Sequence, residues 1–369
     1  MLRRTHRLWR RGLASITDFE RLAASHWTSD RASWLSNGHD DPLSPDKPHV
    51  APLLRVLGLL GADGALTKGG HRKYRQLNAM FSAIEHSLAA PLASAKRRQE
   101  DPLRLVDLCS GSSSHLALLL AFAARHRWDR AAHVLAVDAD PTRIAAAKQR
   151  AALLGFGPEL LTFATSRVAE LPPWSQLYSS TFLRHGSSLD VQPAATAPDG
   201  VFALHACDTA TDEALAFAVR ARAQAVLVAP CCQAELAAAW KQVAGSQAAA
   251  REQQRTEGFG RPPPGMGRDG FELIRRQPHL RREIASHVTD AMRVALLRAS
   301  GYSVEVAEFV SAEHTPKNRL ITGVRHRLYA RGAAASAARA RNTATKEYAA
   351  LRDATGGCGI ALGRLLAVD

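Results

Sequence analysis

The chain has 369 residues, of which 46% are hydrophobic and 22% charged, and its formal net charge is +14 at pH 7. This composition fits a soluble globular protein with one large α/β domain and appendages, and no apolar run reaches the roughly 18 residues needed to span a bilayer. The five cysteines, two of them adjacent, do not form the pattern of a disulfide framework, so we expect a reducing compartment such as the cytoplasm.

The first hundred residues predict helices ahead of the main domain. Residues 1–13 are rich in arginine and lack acids, which is typical either of an organelle-targeting segment or of a basic surface tail. The apolar spacing in 53–60 and in 74–84 predicts two helices. We therefore predict that residues 1–100 form a basic tail and a helical cap.

A βαβ unit follows. Residues 104–108 and 134–138 are apolar runs that each carry an acid near the end, and an Ala/Leu-rich segment lies between them. This pattern predicts a strand, a tight turn, a helix and a second strand, with the turn where open α/β sheets bind nucleotide-like cofactors. Asp138, at the tip of the second strand, could accept hydrogen bonds from both hydroxyls of a ribose.

The turn has one glycine, Gly111, where a dinucleotide site needs three to bring the pyrophosphate close to the backbone. S-adenosyl-L-methionine has no pyrophosphate and tolerates fewer glycines, and Asp107 could orient the loop or attract the cationic methionine end. The turn resembles motif I of class I methyltransferases, Asp/Glu-x-Gly-x-Gly-x-Gly, with Cys109 and Ser113 at the other two glycine positions. The alternative is an inert Rossmann-like unit with a degenerate loop.

Further strands are predicted at 160–164, 201–205 and 225–229, and their alternation with helices indicates a mostly parallel sheet. Residues 302–310 and 320–324 predict a terminal antiparallel hairpin after a helix around 287–299. The fold class is therefore α/β, a Rossmann-like sheet within residues 101–330. Residues 245–270, poor in apolar side chains, are predicted as a mobile insertion, and residues 331–369 as a helical tail broken by Gly356-Gly357.

The ends of the fourth and fifth strands carry two unusual segments, His205-Ala206-Cys207-Asp208 and Pro230-Cys231-Cys232-Gln233. Together with residues 73–78, 278–282 and 313–318, they resemble bacterial methyltransferase-domain proteins related to a eukaryotic tRNA 2′-O-methyltransferase family with a Lys-His-Leu-Cys-Gly-x-x-Thr-Asp segment. Asp208 stands where that family has glycine. The resemblance implies a class I S-adenosylmethionine-dependent methyltransferase that acts on RNA.

Several residues are candidates for roles in the reaction. His205 could act as a general base, with Asp208 or Asp212 as its orienting partner, because methyl transfer to oxygen must also remove a proton. The alternative is structural, with Asp212 capping the next helix. Lys73 and Lys317 could contact the cofactor carboxylate or a phosphate, and Asn318 could orient the acceptor.

The cysteines allow two further hypotheses. A zinc site could be formed by His205, Cys207, Cys231 and Cys232, although adjacent cysteines seldom face one metal, and we therefore predict no metal. Alternatively, Cys231 or Cys232 could attack C6 of a pyrimidine as a thiolate. Buried, unreactive cysteines are the simpler interpretation.

The high positive charge favours a polyanionic partner, and we predict RNA. A GC-rich genome would also raise the arginine and alanine content without any such function. Two other function classes therefore remain open: a degenerate methyltransferase fold that binds RNA or protein, and a methyltransferase acting on a small molecule or a protein. No membrane association and no stable protein partner are expected.

Overall fold

The protein is described from a computed structural model. The described residues are 16–29, 41–92, 102–111, 115–128, 130–182, 197–204, 206–230, 232–256, 272–308, 318–325 and 333–369. Four residues singled out from the sequence, His205, Cys231, Ser113 and Lys317, lie outside these ranges, as does the basic segment 1–13. No helix in the described ranges is long and apolar enough to cross a membrane.

One sheet of seven strands forms the centre of the described structure, in the order β3-β2-β1-β4-β5-β7-β6. The strands are β1 Leu103–Leu108, β2 Ala132–Asp138, β3 Leu161–Thr165, β4 Gly200–Ala203, β5 Ala225–Val228, β6 Tyr302–Glu308 and β7 Arg319–Arg325. The first five pair in parallel, whereas β7 pairs antiparallel with both β5 and β6. The Rossmann-like sheet with its terminal hairpin is confirmed.

The strands of the parallel half form because nearly every side chain in them is buried. Residues of β1, β2, β4 and β5 are buried without exception, as expected for parallel strands covered by helices on both faces. Along β1, Leu103 and Leu105 pack into one hydrophobic cluster, and Val106 and Leu108 pack into another on the opposite face. The sheet is therefore the middle of three layers.

The first layer combines the N-terminal helices with helices of the βαβ units. It contains α1 Ile16–Ser29, α2 Val50–Val56, α3 Gly70–Ser87, α4 Ala89–Leu92, α5 His115–His126 and α6 Pro141–Leu153. Side chains of α1, α2 and α3, among them Phe19, Leu53 and Phe81, share one hydrophobic cluster with β1 and α5. The predicted helical cap therefore packs on the same core as the sheet.

The second layer covers the opposite face. Its helices are α7 Trp174–Leu177, α8 Thr209–Arg220, α9 Glu235–Thr256, α10 Glu272–Arg276, α11 Pro278–Ala299, α12 Ala333–Ala354 and α13 Ala361–Leu365. Within it, α9 packs on α11 through Trp240 and Ala285. The segment predicted as a helical tail contains α12, which ends just before Gly356 and Gly357, both of them at positive φ.

Two predicted boundaries need correction. Helix α9 continues to Thr256, so residues 245–256 are helical and do not form a loop, whereas 257–271 lie outside the described residues. Helix α11 begins at Pro278, well before residue 287. The apolar pattern did not predict its first turns because they are exposed and carry no apolar stripe. The division into residues 1–100, 101–330 and 331–369 stays a prediction.

Candidate functional site

The turn after β1 has the geometry of a tight loop between two strands. Cys109 and Gly111 both adopt left-handed backbone conformations, with φ of 57° and 72°. The Ser110 N–H donates to the Val137 carbonyl oxygen at 2.9 Å, which ties the loop to β2. Cys109 therefore keeps a conformation that glycine adopts without strain and other residues adopt at a cost of about 1–2 kcal/mol.

Asp138 holds this loop from the end of β2. Its Oδ2 accepts a hydrogen bond from the Gly111 N–H at 2.8 Å, and its Oδ1 accepts one from the Asp140 N–H at 2.9 Å. Arg143 lies 3.7 Å from Oδ1, and its side chain is half exposed. The carboxylate is thus fixed in position beside the loop while each oxygen retains a further lone pair for a ligand.

Asp107 lies on the face of β1 that α5 covers, and it is 1% exposed. The Ala117 N–H, in the first turn of α5, donates to its carboxyl group. Oδ2 of Asp107 has no hydrogen-bond partner among the described residues, and neither does the Oγ of Ser110. Burial raises the pKa of Asp107 well above its usual range, and the carboxylate of Asp138 raises it further.

Lys73 lies in the first turn of α3, which packs against β5 and β7, whereas the loop lies at the ends of β1 and β2. Its side chain is half buried, and this burial lowers the pKa of the ammonium group. Its predicted contact with the cofactor carboxylate stays a prediction.

Asp208 joins the loops that follow β4 and β5. Its N–H donates to the Cys232 carbonyl at 2.8 Å, and its Oδ1 accepts from the N–H groups of Ala234 and Glu235 at 2.8 and 3.1 Å. The side chain therefore caps α9, the helix that follows the second loop. Its own backbone is strained, with φ of 53° and ψ of −122°. In the described structure Asp208 acts as a positioning residue, and its predicted partner His205 lies outside the described residues.

Asp212, 1% exposed in the first turn of α8, pairs with a residue that the sequence analysis missed. Its Oδ1 and Oδ2 accept from Nε and an amino nitrogen of Arg293, at 3.1 and 2.6 Å. This bidentate pair is not the predicted helix cap. The orienting contact to His205, which lies outside the described residues, stays a prediction. The Arg293 side chain, on α11, is itself completely buried.

Arg293 has two further partners. It donates to the Asp290 carboxylate at 3.1 Å and to the Asp208 carbonyl oxygen at 3.0 Å. Although burial alone would lower it, these neighbouring carboxylates raise the pKa of Arg293, so the guanidinium stays charged. Burial raises the pKa of Asp212, and the pairing with Arg293 opposes this shift.

The ion pairs extend to β7 and to the β5 loop. Asp290 also accepts from Arg319 at 2.9 Å and from the Gln233 amide at 3.0 Å. Gln233 accepts from the Ser286 hydroxyl, which in turn accepts from Arg319 at 2.8 Å. We call these residues the Arg293 cluster: Asp212, Gln233, Ser286, Asp290, Arg293 and Arg319. It binds α8, α11, the β5 loop and the start of β7 into one unit, with its two aspartates balanced by its two arginines.

Cys109 is not a reactive thiolate. Burial and the nearby carboxylates of Asp107 and Asp138 raise the pKa of its thiol to about 12. Cys207 and Cys232 are exposed. Among the described residues no group of three potential ligands is arranged for a metal ion. Because His205 and Cys231 lie outside them, both cysteine hypotheses stay open.

Comparison with known proteins identifies the domain. Residues 72–239 match a family model described as a methyltransferase domain. No curated protein sequence matches the chain. Similar solved structures include magnesium protoporphyrin IX methyltransferase of Synechocystis PCC 6803 with bound SAH, at 11% identity over 74% of this chain and 93% of that one, with a TM-score of 0.34.

Two further solved structures are a methyltransferase domain of METTL16 and the CMeT domain of the citrinin polyketide synthase. The first is 13% identical over 83% of this chain and 91% of that one, with a TM-score of 0.34. The second is 13% identical over 83% of this chain and 65% of that one, with a TM-score of 0.35. The family match over residues 72–239 and the order of the strands in the sheet support a class I S-adenosylmethionine-dependent methyltransferase domain in this chain.

The residues at the edge of the sheet fit S-adenosyl-L-methionine, the cofactor of this domain. The methionyl end of this molecule carries an ammonium group, and the buried Oδ2 of Asp107 lacks a donor within the described structure. Asp138, fixed at the tip of β2, would accept from the ribose hydroxyls. Residues 109–111 would surround the cofactor as the loop, and Ser113 of the same loop lies outside the described residues.

Replacing Asp138 by alanine should lower the affinity for S-adenosylmethionine by about 100-fold, because two charge-assisted hydrogen bonds of about 1.5 kcal/mol each are lost. Titration calorimetry measures this. The matched control is Asp140→Ala, which removes an exposed carboxylate that accepts from Thr142 at the start of α6. It should cost about 1 kcal/mol of stability and leave the affinity unchanged. Wild-type affinity in Asp138→Ala would exclude the ribose role.

Substitutions at Cys109 test the left-handed loop. Cys109→Gly should bind S-adenosylmethionine within about threefold of the wild type, because glycine adopts the positive φ without strain. Cys109→Val should lower the free energy of unfolding by at least about 1–2 kcal/mol, since a β-branched residue is strongly disfavoured there. Urea denaturation and calorimetry provide both measurements. Equal stability of the two variants would contradict the assigned conformation.

Arg293→Met should lower the free energy of unfolding by about 3–5 kcal/mol, because it leaves Asp212 buried without its cation. The double variant Arg293→Met/Asp212→Leu should cost less than the single one, since both members of the pair are then removed. Urea denaturation of the three proteins measures the difference. A double variant less stable than Arg293→Met would show that unpaired charge is not the cause.

Proposed function

We propose that this methyltransferase acts on RNA. The observation that carries the proposal is a basic surface at the same edge of the sheet as the cofactor loop. Helix α11 connects β5 to the parallel strand β6, so it runs back along the sheet and its N-terminus lies at the carboxyl ends of the parallel strands. Its first turns and α10 therefore extend the candidate active-site edge.

The exposed residues of this surface combine positive charge with apolar groups. Arg276, His279 and Arg282 are exposed, and Leu273 and Leu280 are 66% and 46% exposed. Arg276 also pairs with Glu272 at 2.6 Å. Basic side chains supply contacts to phosphates, and exposed apolar groups can pack against unstacked bases. With a formal charge of +14 on the whole chain, this surface favours a polyanionic acceptor.

S-adenosylmethionine supplies a methyl group on a positively charged sulfur, and the protein has to align the acceptor with it. The hydrogen bonds of Asp208 to the β5 loop and to α9, and that from Arg293 to the Asp208 carbonyl, fix the end of segment 205–208 beside Cys109. The role of His205 at this position, removal of a proton from a hydroxyl acceptor, stays a prediction. Oδ1 of Asp208 caps α9 and both carboxylate oxygens of Asp212 accept from Arg293. The orientation of His205 by either aspartate stays a prediction.

The activity is tested by incubating the protein with methyl-tritiated S-adenosylmethionine and total RNA from cells that lack its gene. The expected result is label that ribonuclease releases, with no label from the Asp138→Ala protein. Nucleoside analysis of the labelled RNA then identifies the acceptor atom. Label in protein or in small molecules, with none in RNA, would overturn the proposal and favour a protein or small-molecule methyltransferase.

RNA binding should depend on the α10–α11 surface. Reversal of one phosphate-contacting charge, Arg282→Glu, should weaken binding and reduce the slope of log affinity against log salt concentration by about one. The matched control is Arg220→Glu, an exposed arginine at the last residue of α8, on the opposite edge of the sheet. Filter binding of a tRNA mixture at several salt concentrations measures both. Equal effects of the two variants would show that binding is not localised at this edge.

A further inference from the structure

Several acidic side chains lie close to the cofactor loop. Asp107 and Asp138 stand on neighbouring strands, and their carboxylates act on each other and on the Cys109 thiol. Glu213 of α8 and the Cys207 thiol also act on Cys109, from the side of β4. Two buried carboxyl groups, those of Asp107 and Asp138, therefore lie close together beneath the cofactor loop.

Asp107 and Asp138 differ in how their charge is stabilised. Each oxygen of Asp138 accepts a backbone N–H, and Arg143 approaches from the partly exposed side. Asp107 receives the Ala117 N–H, but its Oδ2 is buried without a donor in the described part of the chain. An ionised carboxylate with such an oxygen, beside a second carboxylate, is strongly disfavoured.

We propose that Asp107 is protonated in the cofactor-free protein and releases this proton to solvent when the ammonium group of S-adenosylmethionine binds at its Oδ2. The O–H bond of the carboxyl group breaks, the proton passes to the buffer, and the resulting carboxylate accepts a hydrogen bond from the ammonium group. The cation supplies the charge that no described side chain supplies at Oδ2. Cofactor binding is therefore coupled to the release of one proton.

The direction of the pH dependence follows from this coupling. Burial and Asp138 hold the pKa of Asp107 far above its usual range in the free protein, and a bound cation lowers it. Between these two values binding releases a proton, so affinity rises with pH by up to about tenfold per unit. It levels off once pH exceeds the pKa of the free protein, because Asp107 is then already ionised.

Calorimetric titration of the full-length protein over a series of pH values, in buffers with different ionisation enthalpies, counts the protons. At the pH of maximal release the wild type should release up to one proton per S-adenosylmethionine, and Asp107→Asn close to none at any pH, with affinity nearly independent of pH. Two controls replace other titratable groups near the site, Glu213→Gln on α8 and His115→Gln at the start of α5, and both should keep the release. No release by the wild type, or equal release by Asp107→Asn, would overturn the proposal.

Two further measurements keep the proposal testable if Asp107→Asn does not fold. Infrared difference spectra of the wild type should lose the carbonyl stretch of a protonated carboxylic acid when S-adenosylmethionine binds, and an unchanged band would contradict the proposal. S-adenosylhomocysteine has the same ammonium group without the sulfonium and should release the same proton. Release with S-adenosylmethionine alone would exclude the ammonium contact. None of these experiments uses RNA, so their failure is distinct from a failure of the proposed function.

Discussion

The arrangement of the candidate site depends on one completely buried guanidinium, that of Arg293. A charge at this depth is tolerated only when it is paired and hydrogen-bonded, and here two carboxylates and a backbone carbonyl meet that requirement. Those partners come from α8, from α11 itself and from the segment after β4. Because the pairing is obligatory, the position of α11 fixes the position of Asp208, and Asp208 in turn fixes the start of α9.

The carboxylates in the two halves of the sheet edge are stabilised by different groups. At β1 and β2, the carboxylate of Asp138 is bonded to backbone N–H groups, and the buried Asp107 lacks a neighbouring cation among its described contacts. At β4, β5 and β7, arginines balance the carboxylates, and α10 and α11 add exposed basic groups. The negative half matches a cationic cofactor, and the basic half matches the polyanionic acceptor of the proposed reaction.

The strands could be predicted from the sequence because each is a short, continuous apolar run, and buried parallel strands give no other pattern. The Arg293 cluster could not, because an arginine in a helix is usually at the surface. A signal was nevertheless present. The buried positions Ala285, Thr289, Met292 and Leu296 follow the helical period, and Arg293 falls within that stripe. A cation in an apolar stripe requires an acid, but only the fold shows that Asp212, 81 residues earlier, supplies it.

The loss of two motif glycines can indicate either decay or an altered but working site, and the loop geometry separates the two. A decayed loop has no reason to keep a strained conformation, since relaxation of φ at Cys109 would recover about 1–2 kcal/mol. The loop instead keeps φ of 57° at Cys109 and 72° at Gly111. The hydrogen bonds from Gly111 to Asp138 and from Ser110 to Val137 hold it there. The strain persists because the contacts that shape a cofactor site outweigh it, and this supports a working methyltransferase over a degenerate binding module.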